Sequence, residues 1–264
     1  MDTTINQILI PLIAGLAIAV VAPTIGMFTV LRRYALVADS LAHVVLLGVV
    51  IGSVVGFLPG IFPYIVAVLA AILVEYLREI RRVPGESALA MLLTGGVAAA
   101  TTLASYFKVE INEDLLFGAL EKVAVSDMLM ILGIGTAVVV CLLLFWKELV
   151  YSSFDDEAAR AQGLPVRAIN MLLMIVTALT VTAAIRVVGV LLTGALTVIP
   201  VMSAIQLNQG FRTTAFYAIC ISVVSVGAGL LLALTANLSP GGAVVMSAFA
   251  CFFAIVGVRK VLKA

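Results

Sequence analysis

The chain has 264 residues, 64% of them hydrophobic and 11% charged, and a net charge of +1. Soluble domains run near ~45–50% apolar and ~25% charged, so a mean hydropathy of +1.27 places this chain in a bilayer as a polytopic all-α protein. The weak net charge excludes a nucleic-acid binder. Cys141, Cys220 and Cys251 stand far apart in apolar runs, which excludes a disulfide framework and a CxxC metal motif.

The first predicted span runs from about Ile8 to Val30 and ends at Arg32-Arg33. It follows neither a positive n-region nor a cleavage site, so it reads as a retained transmembrane segment. A second span begins near Tyr34 to Ala38 and reaches about Phe57. It carries Asp39 and His43, then Gly48, Gly52, Gly56 and Gly60 at four-residue spacing, a row of small residues suited to close helix packing. The third span, about Ile61 to Tyr76, ends in Arg78, Arg81 and Arg82, with Glu75 expected to snorkel toward the same edge. Pro84-Gly85 breaks the chain before a fourth span from Ser87 to about Tyr106. From Phe107 to Asp127 the residues Lys108, Glu110, Glu113, Asp114, Glu121 and Lys122 predict a surface segment that does not cross.

A fifth span from about Met128 to Phe145 leads to Trp146 and Tyr151, expected as interfacial anchors. Phe154 to Arg167 reads as one short amphipathic helix outside the bilayer, capped by Asp155 and ended by Gly163 and Pro165. Ala168 to Gln206 leaves room for two crossings that turn near Arg186 and Gly189. Crossings from about Thr214 to Ala236 and from Ala243 to Val258 complete nine, or eight if one segment is re-entrant. The basic clusters at Arg32/Arg33, Arg78/Arg81/Arg82, Arg212 and Arg259/Lys260/Lys263 then share one side. The positive-inside rule makes that side cytoplasmic, with the N-terminus outside and the C-terminus cytoplasmic.

His43 is the one histidine of the chain, four residues after Asp39 in an apolar run. On a helix, positions i and i+4 share a face, so both side chains can point at one spot. Ionisable groups at membrane depth mark a substrate or ion path, and a carboxylate beside an imidazole is half of a divalent metal site. The same residues also fit an ordinary helix start, with Asp39 or Ser40 capping and His43 bonded to a carbonyl.

Three stretches together resemble the membrane permease subunit of bacterial ABC importers for zinc, manganese and iron. They are Arg33-Tyr34-Ala35-Leu36-Val37-Ala38-Asp39-Ser40-Leu41-Ala42-His43 with Leu46-Leu47-Gly48, then Ser153-Phe154-Asp155 through Ala159-Arg160-Ala161-Gln162-Gly163-Leu164-Pro165, and Val188-Gly189-Val190-Leu191-Leu192 through Ile199-Pro200. In order and spacing they cover about the whole chain, although Val201-Met202-Ser203-Ala204 replaces the family's small Ala/Thr run. Leu46-Leu47-Gly48 and the run from Met171 to Thr180 lean toward the zinc members.

The resemblance implies one transmembrane permease domain over residues 1–264, with the fold of a type II, cobalamin-importer-like ABC permease in a bacterial cell (inner) membrane. It also implies a homodimer, two cytoplasmic ABC ATPase subunits and an extracytoplasmic metal-binding protein. The segment at about 154–165 would couple to the ATPase through Phe154, Asp155, Glu157, Arg160 and Gly163. The chain has no G-x-x-x-x-G-K-[ST], so it is expected to be a transport subunit and not an enzyme. No permanent cofactor is expected; Zn²⁺ or Mn²⁺ would pass as substrate. A two-fold axis would bring two Asp39/His43 pairs together as a transient four-ligand site free of thiolate. The competing class is a secondary carrier or channel without an ATPase. An importer for cobalamin or siderophores would not call for the pair, and an intramembrane hydrolase is excluded by the lack of HExxH or a second histidine.

Overall fold

A computed structural model describes residues 2–110, 116, 118, 123–236 and 238–263. Regular structure among them is entirely helical: α1 (Asp2–Leu31), α2 (Val37–Val55), α3 (Phe62–Glu79), α4 (Gly85–Phe107), α5 (Val125–Leu144), α6 (Trp146–Phe154), α7 (Asp156–Ala161), α8 (Val166–Ile205), α9 (Phe211–Ala236) and α10 (Pro240–Lys263).

Local chemistry sets the joints that matter for function. Gly56 takes φ 70° and closes α2 with its amide on the Gly52 carbonyl, a left-handed cap that suits glycine. Pro63 sits in the first turn of α3, where a missing N–H is harmless. At this joint α2 meets the backbone of the start of α3 and of the turn before it. A Cβ on Gly48 would lie 2.6 Å from Pro63 Cα, and one on Gly52 would lie 2.7 Å from the Pro59 carbonyl oxygen. Gly56 takes no part in this contact, contrary to the even spacing of the glycine row; a Cβ there would meet nothing within 4 Å.

α8 is 40 residues long, about 60 Å if straight, twice the ~30 Å of a hydrocarbon core. Gly189, at φ 79° and ψ 168°, divides it into legs 166–188 and 190–205 in a backbone region open essentially to glycine alone. The legs run antiparallel. Ile169 and Leu173 of the first pack with Phe28, while Val201 and Ala204 of the second pack with Met27, the adjacent residue of α1. Val187 and Val188 at the junction pack instead with Ala14 and Ile18, several turns away. The expected reversal therefore falls at Gly189; the Arg186 side chain lies outside the described residues.

Among the described residues, 8 helical stretches are long and apolar enough to cross a membrane, with the two legs of α8 counted separately. α3 falls short on composition because Glu75, Arg78 and Glu79 share its 18 residues. Yet it runs back alongside α2, with its start at Gly48 and Arg78 near its end over the Tyr34 ring just ahead of α2, and so forms a further leg. Glu75 does not snorkel. It is 1% exposed and accepts both Nε and Nη2 of Arg78, one turn on in the same helix. Of the acidic surface segment, Glu110 is exposed, while Glu113, Asp114, Glu121 and Lys122 lie outside the described residues.

α2 lies at the centre. Its Val37, Leu41 and Val45 share one core with Ala71 and Val74 of α3, Leu89 of α4, Met174 of the outgoing leg and Val190 of the return leg. The short helix expected over Phe154–Arg167 forms as α7, capped by Asp155, and a second helix that the sequence did not separate, α6, leads into it. Trp146–Phe154 forms α6, and Asp155 turns the chain into α7 by accepting the Glu157 and Ala158 amides at 3.0 and 2.9 Å. Trp146 is no free anchor: it packs edge-on against Phe28 at 5.4 Å and Phe211 at 5.5 Å.

Candidate metal site and its surroundings

Asp39 and His43 occupy the first two turns of α2 and lean over one face. Asp39 Oδ1 stands 3.9 Å from His43 Nε2, beyond hydrogen-bond reach, and the side chains are 36% and 21% exposed. Leu36 is the N-cap and no side chain caps the helix. His43 Nδ1 is buried with no hydrogen-bond partner among the described residues. The ordinary helix-start arrangement, with Asp39 or Ser40 capping and His43 on a carbonyl, is therefore not what forms. An uncommitted carboxylate oxygen faces an uncommitted ring nitrogen. At ligand bonds near ~2.1 Å a tetrahedral angle needs about 3.4 Å between them, so rotamer adjustments of roughly half an ångström suffice.

No group of three or more His, Cys, Asp or Glu side chains comes together among the described residues. One chain thus offers two candidate ligands here, half of what a tetrahedral set would need. The wall opposite Asp39 is backbone of the return leg. A Cβ on Gly194 would lie 3.2 Å from Asp39 Cβ and 3.4 Å from Oδ1, so the leg closes on the carboxylate with no side chain between. On another side Gly96 lets α4 approach Val44, whose Cγ2 would be 2.7 Å from a Cβ there.

Toward the end carrying α6 and α7, the inward arginine is Arg32. Arg33 is exposed and holds a left-handed φ of 62°. Arg32 donates Nε to Ser153 Oγ at 2.9 Å, Nη2 to Ser152 Oγ at 2.6 Å and to the Leu149 carbonyl at 3.3 Å, and Nη1 to Asn170 Oδ1. Burial pulls its pKa below the usual arginine range, and the Asp156 carboxylate opposes that pull. This clasp joins the end of α1 to α6 and to the start of α8. Spacing alone did not single it out; two adjacent arginines look alike in a sequence, and only the turn decides which faces in.

The residues expected to couple to an ATPase gather at the same end. Asp155 caps α7, Gly163 ends its turn at φ 81°, Arg160 pairs with Glu79 of α3 at 3.3 Å, and Phe154 and Glu157 are exposed. A cleft of about 730 Å³ opens beside them, lined by Trp146, Tyr151, Phe154, Asp155, Phe211 and Arg212.

Residues 4–259 match the model of the ABC 3 transport family. The chain belongs to that family. This ABC 3 family member is 32% identical over 96% of its length, and 95% of the relative's, to a Treponema pallidum protein named "Probable metal transport system membrane protein". It is 31% identical over 91% of its length to the manganese transport system membrane protein MntC of Halalkalibacterium halodurans, covering 83% of that protein. Among solved structures it superposes on a chain of PsaBC from Streptococcus pneumoniae in complex with Fab. The TM-score is 0.81 at 26% identity, with 93% of this chain and 89% of that one covered. The ABC 3 family member is accordingly a multi-pass membrane protein of the metal ABC permease type.

Proposed function

We propose that this protein is the permease subunit of an ATP-driven importer for a divalent transition metal, Zn²⁺ or Mn²⁺, in a bacterial inner membrane. The observation that carries the reading is the Asp39/His43 pair: two uncommitted ligands 3.9 Å apart, on the central helix, with no third ligand among the described residues of the chain. Oxygen and imidazole ligands without thiolate suit both ions. A second copy across a two-fold axis would complete the set with its own pair. Splitting the ligands between two subunits lets the site break when they move, which a closed cage would not allow. The manganese name of one relative and the zinc-like runs of the sequence keep both ions in view.

In this reading residues 1–264 form one permease domain, with α6 and α7 on the cytoplasmic side, the N-terminus outside and the C-terminus inside. Asp155, Glu157, Arg160, Gly163 and the exposed Phe154, with the cleft beside them, would seat one ATPase subunit per chain. Metal would arrive from an extracytoplasmic binding protein at the opposite end. A carrier or channel working without an ATPase would leave the built-out α6–α7 pair with no task.

The test is uptake of labelled Zn²⁺, with Mn²⁺ as competitor, in cells expressing the chain with its ATPase and binding protein. Asp39→Ala and His43→Ala are each expected to lower uptake at least tenfold at equal expression, with ATPase assembly intact. Normal uptake in both variants, or uptake that follows proton-motive force and not ATP, would overturn the proposal.

A further inference from the structure

Two orphaned polar atoms lie within one turn of α2. Ser40 is 1% exposed, and its Oγ is buried without a hydrogen-bond partner; three residues later the same holds for His43 Nδ1. Buried polar atoms are nearly always paired, so two neighbouring exceptions call for an account. The buried threonines of α8 are satisfied by their own helix. Thr177, Thr180, Thr182, Thr193 and Thr197 each bond the carbonyl four residues back, at 2.7 to 3.0 Å. Ser40 does not do so, although the Leu36 carbonyl four residues before it is close enough to accept the Ser40 amide at 2.9 Å. Ser222 Oγ and Ser247 Oγ, on α9 and α10, are also unpaired, as are Asp156 Oδ1 on α7 and Asn170 Nδ2 at the start of α8, but none of these four is on α2.

We infer that Ser40 is the positioning residue for His43. This rests on the metal reading above and deepens it. A neutral imidazole that gives Nε2 to a metal carries its proton on Nδ1, and metal-bound histidines almost always donate that proton to a fixed acceptor. His43 Nε2 already faces Asp39 Oδ1, which leaves Nδ1 turned toward the buried side. Helical side chains lean toward the N-terminus, so His43 lies back over the turn that holds Ser40. Rotation of both side chains would let Nδ1–H donate to Ser40 Oγ while the hydroxyl donates to the Leu36 carbonyl. Both orphans are then satisfied, and the ring is held in the tautomer that presents Nε2.

The proposal is tested by metal affinity in the purified permease–ATPase complex. Zn²⁺ alone and Mn²⁺ alone are titrated against a competing chelator, beside uptake kinetics. Ser40→Ala is expected to weaken metal binding 10- to 100-fold, the loss typical of an outer-shell partner, and to raise the KM for uptake with little change in the rate at saturating metal. Ser40→Thr, which keeps the hydroxyl, should recover most of the affinity. A purely structural role predicts the opposite for alanine: removing an unpaired buried hydroxyl would leave thermal stability equal or higher and affinity within twofold of wild type. That result would overturn the inference. Where threonine is too bulky for the site, the alanine affinity decides alone. His43→Ala run in parallel separates the two ideas. If His43→Ala abolishes binding and Ser40→Ala does not weaken it, the positioning role fails and the metal site stands; if His43→Ala binds normally, both fail.

Discussion

At the scale of the residue, what matters near the Asp39/His43 pair is as much what is missing as what is present. Gly194 contributes no side chain, and that lets the return leg of α8 lie against Asp39. Alanine would sit 3.2 Å from Asp39 Cβ, which asks a shift of a few tenths of an ångström, while helix propensity favours it over glycine by about 0.8–1 kcal/mol. Valine adds two branches to a crowded spot, where overpacking costs typically ~1–3 kcal/mol and the strain falls on the carboxylate. Gly194→Ala is therefore expected to hold or raise the thermal midpoint and reduce uptake by less than about threefold. Gly194→Val is expected to lower both, with uptake down at least tenfold. Thermal unfolding of the detergent-solubilised protein beside metal uptake checks the pair. Gly227, where a Cβ would meet nothing within 4 Å, is the control, and Gly227→Ala should leave uptake unchanged.

At the scale of the element, hydropathy and turn residues place most of the helices. The breaks at Pro84-Gly85, Asp155 and Gly189 are legible because each residue has a backbone reason to be there. What stayed hidden depends on rotation about a helix or on a partner distant in sequence. Glu75 looked like an edge residue because the sequence cannot show which face α3 turns inward; in the fold it is buried and matched by Arg78. Gly56 kept the packing row's spacing but serves to end the helix. The Asp39/His43 spacing could be read directly, since both residues sit in one helix, whereas the contact with Gly194 spans 155 positions (194 − 39). Arg32 belongs with the hidden features, and its bonds to α6 and α8 have a measurable weight. Arg32→Ala leaves Asn170 Oδ1 without this donor, at about 1–3 kcal/mol for a buried group left unsatisfied, while the hydroxyls of Ser152 and Ser153 keep their bonds to the Glu148 and Leu149 carbonyls. Lysine restores the charge but not the planar fork, so Arg32→Lys should recover only a minor part of the loss. The readout is the unfolding midpoint of the purified protein, with the exposed Arg33→Ala expected to stay near wild type.

At the scale of the whole molecule, the proposed metal site has two candidate ligands per chain and would be a property of an assembly. Among the described residues a single chain brings Asp39 and His43 together and nothing further with metal-ligating chemistry. Two ligands hold a divalent ion weakly, whereas four fill a tetrahedral shell. Mixed dimers separate the alternatives. A wild-type copy and a copy carrying both Asp39→Ala and His43→Ala can bear different tags and be purified in tandem with the ATPase. If each chain carried its own complete site, the mixed dimer would keep half the bound metal and about half the transport. If the two chains share one site, the mixed dimer retains only two ligands and should lose nearly all of both, with less than about a tenth of wild-type uptake remaining. Metal content measured on the same preparations should give one ion per two wild-type chains. A ratio of one ion per chain, together with half-active mixed dimers, would move the missing ligands back within the single subunit and remove the reason for the two copies to meet at α2.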